Sequence, residues 1–317
     1  MLVVKKTTEL TDKEIDEILS MFNFIMHRDR MPAQFKELYF NTVLGYSYHV
    51  MLYEEGELIG FHSGIPFYYQ KDGLRFIAGL GLDTMTHPKH RDFFNVRDMF
   101  KACEEAMAAE GCVIRVGFPN DNSYPVLKKG FKYKDIGKMD TYFLPLKIGG
   151  VKPSLKVLNP LSQLFCWMLT TISHFSFSKK VYSFKYGKER NSFDKVRYNW
   201  FGAVDYKTIE VEGVKAYYKT QVQEGVKTLF ILDLWPLSKC GFDKVVRAIY
   251  CKERKGLDMI MYVGYLPFAP LSLVKMPHKF EPKHFNFTCK PLVKEFFDEA
   301  LYDISNWDVN LSNYDLL

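Results

Sequence analysis

His49 and His62 sit on neighbouring predicted strands, and imidazole changes charge close to neutral pH, so either could move a proton in a reaction. A single histidine on a strand is more often a surface or hydrogen-bonded residue, and both readings stand. The six cysteines are Cys103, Cys112, Cys166, Cys240, Cys251 and Cys289; no pair is spaced Cys-x-x-Cys, and none clusters with histidine at zinc spacing. No metal site is expected from them, and free thiols in a reducing cytoplasm are. Cys103 falls on an apolar helical stripe and reads as core. No local signature of a Ser-His-Asp or Cys-His nucleophile occurs.

The elements that must hold these residues alternate through the first 145 positions. VVKKTTEL reads as a short strand. Thr11 with Glu14 forms a capping box ahead of Ile15, Ile18, Leu19 and Phe22 at helical spacing. Pro32 suits the first turn of a second helix, AQFKELYF. Three strands follow, SYHVMLY, LIGFHSGIPFYY and LRFIAGLGLDTM, with Asp72-Gly73 as a tight-turn signal. After Pro88 the period changes: Val96, Met99, Phe100, Cys103, Ala106 and Met107 mark one face of a helix that Gly111 stops. CVIRVGF is a buried-type strand, Asn120 or Asn122 can cap a short helix, and FKYKDIGKMDTYFLPL adds strand. From about Arg197 a hairpin, a strand, a helix (GFDKVVRAIYCKERKG) and a strand repeat that order. The expected organisation is α/β, a mixed α+β class, with a central twisted and mostly antiparallel sheet flanked by helices in each of two domains. Residues 1–145 form the first domain, 146–196 a connector and 197–317 the second.

Length and composition agree. At 317 residues two domains are favoured, and 47% hydrophobic with 25% charged residues is ordinary for a globular chain. The net charge of +6 comes without a Lys/Arg block, so no DNA-binding arm is expected, while an anionic small ligand suits a modest positive field. MLVVKKTTEL lacks the marks of a signal peptide, and a cytoplasmic location is expected. Residues 157–178 carry no Lys, Arg, Asp or Glu and are flanked by Lys156, Lys179 and Lys180. Leu161, Leu164, Phe165, Met168, Ile172 and Phe175 form a helical stripe with a polar back. The expectation is an amphipathic helix that packs its stripe on the domains. The sharper alternative is peripheral membrane contact through residues 157–178 with snorkelling lysines.

Two segments, THPKHRDFFNVRDMFKACEEAM and FPNDNSYPVLKKGFKY, together with the element order over 1–145, resemble the GNAT acyltransferase superfamily. Thr86-His87-Pro88 takes the place of a family V-x-P, Arg91 that of the first residue of the phosphate loop, and Asn122, Ser123, Lys128, Gly130 and Phe131 match the family's segment before a Gly-Phe. A helix N-terminus aims several backbone N–H groups and a favourable dipole at one point, which suits a pyrophosphate. Here the loop glycines are replaced by Phe94 and Val96, and Asp92 adds negative charge that Lys89, His90, Arg91 and Arg97 offset.

The resemblance implies acetyl-CoA or another acyl-CoA as co-substrate, bound by Met85, Thr86, Arg91, Phe93, Phe94, Asn95, Val96, Asn122 and Ser123. It implies Asp83, the one carboxylate at the end of the cofactor strand, as general base, with a strand-end hydrogen-bonding role as the plainer reading. The family's thiolate-protonating tyrosine falls at Val126, and Tyr124 lies two residues away. The implied function is N-acyl transfer, in the first instance acetyl transfer, to a small-molecule, peptide or sugar amine. The second half is similar to a degenerate GNAT domain of a tandem member, with NWFGAVDY at its start and a tail, NWDVNLSNYDLL, marked by Trp307 and Asp315. Distant similarity to Fem-type transferases offers aminoacyl transfer to a cell-envelope precursor as an alternative. A catalytically degenerate fold that binds a ligand or partner is the third reading.

Overall fold

A computed structural model describes residues 1–199, 205–281 and 283–314. In chain order the first elements are β1 (Leu2–Lys6), α1 (Asp12–Met26), α2 (Pro32–Phe40), β2 (Tyr48–Glu54), β3 (Glu57–Lys71), β4 (Leu74–Thr86), α3 (Phe93–Ala109), β5 (Cys112–Gly117) and β6 (Lys134–Pro145). They continue with α4 (Ile148–Val151), α5 (Asn159–Ile172), β7 (Tyr186–Lys188), α6 (Arg190–Arg197), β8 (Lys207–Val211) and β9 (Val214–Gln223). The last are β10 (Val226–Trp235), α7 (Lys239–Glu253), β11 (Met259–Gly264), β12 (Val274–Lys275) and β13 (Phe285–Pro291). The class is mixed α+β, with mostly antiparallel strands flanked by helices.

Two compact units emerge, and they interleave along the chain. Met1–Gly137, Lys185–Val204 and Asn286–Asn306 form one; Lys138–Phe184, Asp205–Phe285 and Trp307–Leu317 form the other. Contiguous ranges of 1–145, 146–196 and 197–317 do not describe this. An open strand edge needs a partner, and the edge of β5 is paired by β13, nearly 170 residues later, with Thr288 opposite Gly117. No local pattern announces such a pairing.

In the first unit β1, β2, β3 and β4 run antiparallel, β4 and β5 parallel, and β5 and β13 antiparallel, with β7 on β3. The expected capping box starts α1: Thr11 accepts from the Glu14 N–H and Glu14 from the Thr11 N–H. Asp72 and Gly73 both take positive φ, which the two-residue turn between β3 and β4 requires. Helix α3 crosses between the parallel strands and buries Met99, Phe100, Cys103 and Met107.

Under α3 an arginine lies flat on the sheet. Arg115 of β5 is fully buried, and Gly64, Gly79 and Gly81 leave the space that it fills. A Cβ on Gly64 would come within 2.6 Å of Met107 Sδ, 2.7 Å of Arg115 Nη1 and 2.9 Å of Cys103 Sγ.

In the second unit β9 and β10 form an antiparallel hairpin, α7 leads to β11 parallel to β10, and β6 closes the other side of β11. Its core includes Leu144, Ile231, Val245, Ile249 and Ile260. The tail docks here: Trp307 is fully buried, and Asn310 and Ser312 donate to Asp233 of β10 at 2.8 and 3.2 Å. Asp315 and residues 200–204 of NWFGAVDY lie outside the described residues.

Helix α5 reverses the expected packing. Its buried residues are Ser162, Cys166 and Thr170, while Leu161, Leu164, Phe165, Met168 and Ile172 are exposed. The small polar face allows close approach: Ser162 Oγ and Cys166 Sγ both donate to the Pro145 carbonyl that ends β6, and Thr170 turns its hydroxyl back to Cys166 O at 2.8 Å. Among the described residues no helix is long and apolar enough to cross a membrane.

The glycine platform makes a prediction. Gly64→Ala should lower stability by about 1–3 kcal/mol, the usual cost of overpacking a tight interior. Urea unfolding of the variant checks this, and an unchanged midpoint would mean that α3 and Arg115 give way freely.

Candidate functional site

The parallel pairing of β4 with β5 runs from Ile77 to Leu80, and no later pair joins them among the described residues. Strand β4 nevertheless continues to Thr86 on β3. Its edge beyond Leu80 is therefore free to bond an extended amide chain, as an added strand would. Beside this gap β4 bulges. Phe61 pairs with Met85 and Ser63 with Leu82, so Asp83 and Thr84 stand opposite His62 alone. The bulge takes Asp83 into the left-handed region at φ 46° and turns Asp83 and Thr84 toward different neighbours.

Asp83 meets α1 and α2. Its Oδ2 accepts from the Tyr39 hydroxyl at 2.6 Å and from the Arg30 guanidinium. Asn23 of α1 fixes the Arg30 main chain at both its N–H (2.8 Å) and its carbonyl (3.2 Å), and the guanidinium rests on the Phe22 ring, 3.7 Å from its centroid. Ser63 Oγ lies 3.0 Å from the Tyr39 hydroxyl and donates to Leu82 O. Burial opposes the Arg30 charge, but attraction to Asp83 outweighs it and leaves the guanidinium pKa above its ordinary value. Burial first, then the Asp83 charge, pushes the Tyr39 phenol well above its ordinary value, so it stays a donor.

On the α3 side a second chain of bonds runs inward from the gap. Exposed Thr84 contacts His62 Nδ1 at 2.8 Å, and His62 Nε2 lies 3.0 Å from Arg115 Nη2. A guanidinium only donates. Nε2 must therefore accept, Nδ1 carries the hydrogen, and Thr84 Oγ1 receives it. The Thr84 hydroxyl hydrogen is then available to a group in the gap. Burial, and then the Arg115 charge, hold His62 well below its ordinary pKa, so the imidazole is neutral. Arg115 also reaches Cys103 Sγ at 2.9 Å and Met107 Sδ at 2.8 Å. Its own pKa is raised: burial opposes the charge, and the interactions with Cys103 and then Tyr133 overcome it.

The expected anion site is altered at its first atom. Helix α3 begins at Phe93, and Asp92 caps it, accepting from the Phe94 N–H at 2.5 Å. A carboxylate thus holds the place that suits a phosphate. The Phe93 ring stacks on Phe131 and covers Gly130. Phe94 is exposed and Arg97 lies over its ring while pairing with Asp98. Asn95 and His90 line a groove of about 970 Å³ together with Lys5, Glu14, Tyr53 and Glu54, and His90 bonds Glu54 at 2.7 Å. Val96 is half-buried and packs against two apolar clusters, one that includes Tyr48 and Met99 and one that includes Phe100 and Phe131. Arg91 makes no ion pair with the described residues. Asn120, rather than Asn122, caps the next turn, accepting from the Asn122 and Ser123 N–H groups at 3.1 and 2.9 Å. The Tyr124 hydroxyl donates to Asp135 at 2.8 Å and accepts from Lys128 at 3.2 Å, so its proton is committed to a carboxylate.

Of the residues expected from the sequence, Asp83, Met85 and Thr86 lie on β4 beyond its last pair with β5, and Arg30, Tyr39, Thr84 and Arg115, which the sequence did not single out, lie beside them or lead inward from them. Two signals were present. Tyr39 falls one turn after Phe35 on a buried stripe, where a phenol needs a partner. Arg115 interrupts a strand that otherwise reads as core, and a buried arginine must be paired. His49 proves structural: it is fully buried between Phe35, Tyr39 and Phe61 and bonds Thr7 at 2.8 Å.

Two predictions follow from these contacts. Asp83→Asn strands a largely buried guanidinium and should cost about 3 kcal/mol. Adding Arg30→Gln should recover much of that, and a double-mutant cycle with no coupling would contradict the pair. The second concerns acid. Burial lowers His49 from 6.5 to about 3. Between those values the unfolded chain binds a proton that the folded chain refuses. Stability is therefore complete above pH 6.5 and falls as pH drops toward 3, by about 3 kcal/mol at pH 4 from His49 alone. His62 acts in the same direction. Denaturant titrations across this range should show His49→Gln with a shallower slope than the wild type, and equal slopes would remove His49 from the linkage.

No protein-family model matches this sequence, and no curated protein shows significant similarity to it. Solved structures do resemble the fold. A GCN5-related N-acetyltransferase from Anabaena variabilis aligns with 92% of this chain and 73% of its own, at 12% identity and a TM-score of 0.57. One from Kribbella flavida aligns over 92% and 72%, at 13% identity and 0.57. A conserved Enterococcus faecalis protein described as a probable N-acyltransferase aligns over 92% and 73%, at 11% identity and 0.57. At such identity the likeness establishes the fold, which is that of the GCN5-related N-acetyltransferases (GNAT).

Proposed function

We propose that the chain is an N-acyltransferase that moves an acyl group from coenzyme A to an amine. The observation that carries this reading is the free edge of β4 beyond Leu80, set against the bulge at Asp83. An extended pantetheine arm can pair with backbone groups near Met85 and Thr86, which brings its thioester toward Thr84 and Asp83. Thr84 offers a hydroxyl hydrogen where charge develops on the thioester oxygen. Asp83 has one oxygen, Oδ1, with no partner among the described residues, and that oxygen is the candidate to take the amine proton, directly or through water. Tyr124, bound to Asp135, is poorly placed to supply the leaving-group proton. The thiolate leaves without it or takes a proton from water.

Asp83→Asn removes base and ion pair together, so rate and stability must be read apart. Transfer should fall about 10²–10⁴-fold in Asp83→Asn and stay low in Arg30→Gln/Asp83→Asn, although the double variant regains stability. The loss should shrink at high pH, where the amine deprotonates unaided. A double variant as active as the wild type would make Asp83 structural.

Coenzyme A affinity is expected to be weak, because Asp92 opposes the pyrophosphate. Asp92→Asn keeps a good helix cap and removes the charge. Calorimetry should show tighter acetyl-CoA binding in Asp92→Asn, and weaker binding in Arg91→Ala with the larger loss at low salt. Unchanged affinity in both would place the phosphates elsewhere.

A second reading has its own support. Phe93 over Gly130 and Asp92 at the helix start fill the expected phosphate site, as in a fold retained for binding a ligand or partner without catalysis. Thermal shifts with acetyl-CoA, longer acyl-CoAs and aminoacyl-tRNA separate the readings, the last testing Fem-type transfer. A shift with none of them favours the non-catalytic protein.

A further inference from the structure

Residues 141–188 contain no Asp or Glu, while Lys147, Lys152, Lys156, Lys179 and Lys180 lie within them. Helix α5 occupies the middle of this stretch. Its small polar face is spent on the Pro145 carbonyl, and the face that remains is apolar and wet. Trp167 is 53% exposed, Leu164 52%, Leu161 64% and Met168 46%, and the chain beyond the helix adds Phe175 at 62% and Phe177 at 78%. Single exposed apolar residues are commonplace, but a contiguous row of them marks an interaction surface. We propose that α5 and the segment up to Lys180 dock this unit on an anionic lipid bilayer, lying in the plane of its surface.

Charge selects the occupant. The lysines stand at both ends of the apolar row, where their stems can follow it inward and their ammonium groups reach lipid phosphates. Trp and Phe beside Leu and Met suit the boundary between headgroups and acyl chains. At 14 residues α5 is about 21 Å long, too short to span a bilayer and long enough to lie on one. A second copy of the chain would bring two sets of lysines together with no carboxylate in the segment to pair them, and Glu212, which is within electrostatic reach of Lys179, is already bonded by Lys244 at 2.5 Å. The proposal is independent of acyl transfer.

Co-sedimentation of the full chain with vesicles tests it. Binding is expected to vesicles of phosphatidylcholine with phosphatidylglycerol, and to weaken with salt and in pure phosphatidylcholine. Leu164→Gln/Met168→Gln should abolish binding with the thermal midpoint unchanged, because both side chains are exposed. Lys179→Gln/Lys180→Gln, which leaves the helix intact, should weaken it about 30-fold, at roughly fivefold per lysine. A wild type that stays in the supernatant with both vesicles would overturn the proposal. So would a dimer in sedimentation that the Leu164→Gln/Met168→Gln variant turns to monomer, since the face would then belong to a second copy.

Discussion

A bend at one residue of β4 arranges the candidate site. Asp83 takes a left-handed conformation, which costs a non-glycine residue about 1–2 kcal/mol. The bonds from Tyr39 and Arg30 offset that cost, and Asn23 and Phe22 hold the arginine in turn. Because of the bend, two residues of β4 face one of β3. Asp83 reaches the α1–α2 layer, Thr84 reaches His62, and β4 continues past the point where β5 leaves it. Without the bend regular alternation would put each of them on the other face, Asp83 away from Tyr39 and Arg30 and Thr84 away from His62.

The two faces of the sheet are built on different economies. One holds an ion pair that is nearly closed to water. The other buries a guanidinium against a neutral imidazole, a thiol and a thioether, in space that three glycines vacate. Each packs around a neutral histidine, His49 on one face and His62 on the other, which is why acid should loosen this unit. The second unit repeats the bulge: the register of β10 shifts just before Asp233. There Asn310 and Ser312 of the tail bond both carboxylate oxygens.

The sequence made the local elements legible because their signals are local. Thr11 and Glu14 start α1, Asp72-Gly73 turns the hairpin, and the spacing from Val96 to Met107 gives the buried face of α3. Contacts between distant segments were not legible. Arg30 precedes α2 with no pattern that points it to position 83, and β13 closes the edge of β5 from nearly the other end of the chain. Helix α5 misled for a physical reason. An apolar stripe predicts a core only if the core is there to receive it; here serine, cysteine and threonine make the tighter contact and the stripe faces water.

Amide hydrogen exchange with and without acetyl-CoA tests the central claim, that the free edge of β4 receives the acyl donor. The account predicts slower exchange confined to residues 81–86 and the start of α3, since backbone groups there gain partners when the pantetheine arm is bound. Saturating acetyl-CoA that leaves residues 81–86 exchanging at their unliganded rate, while protection appears elsewhere or nowhere, would contradict it.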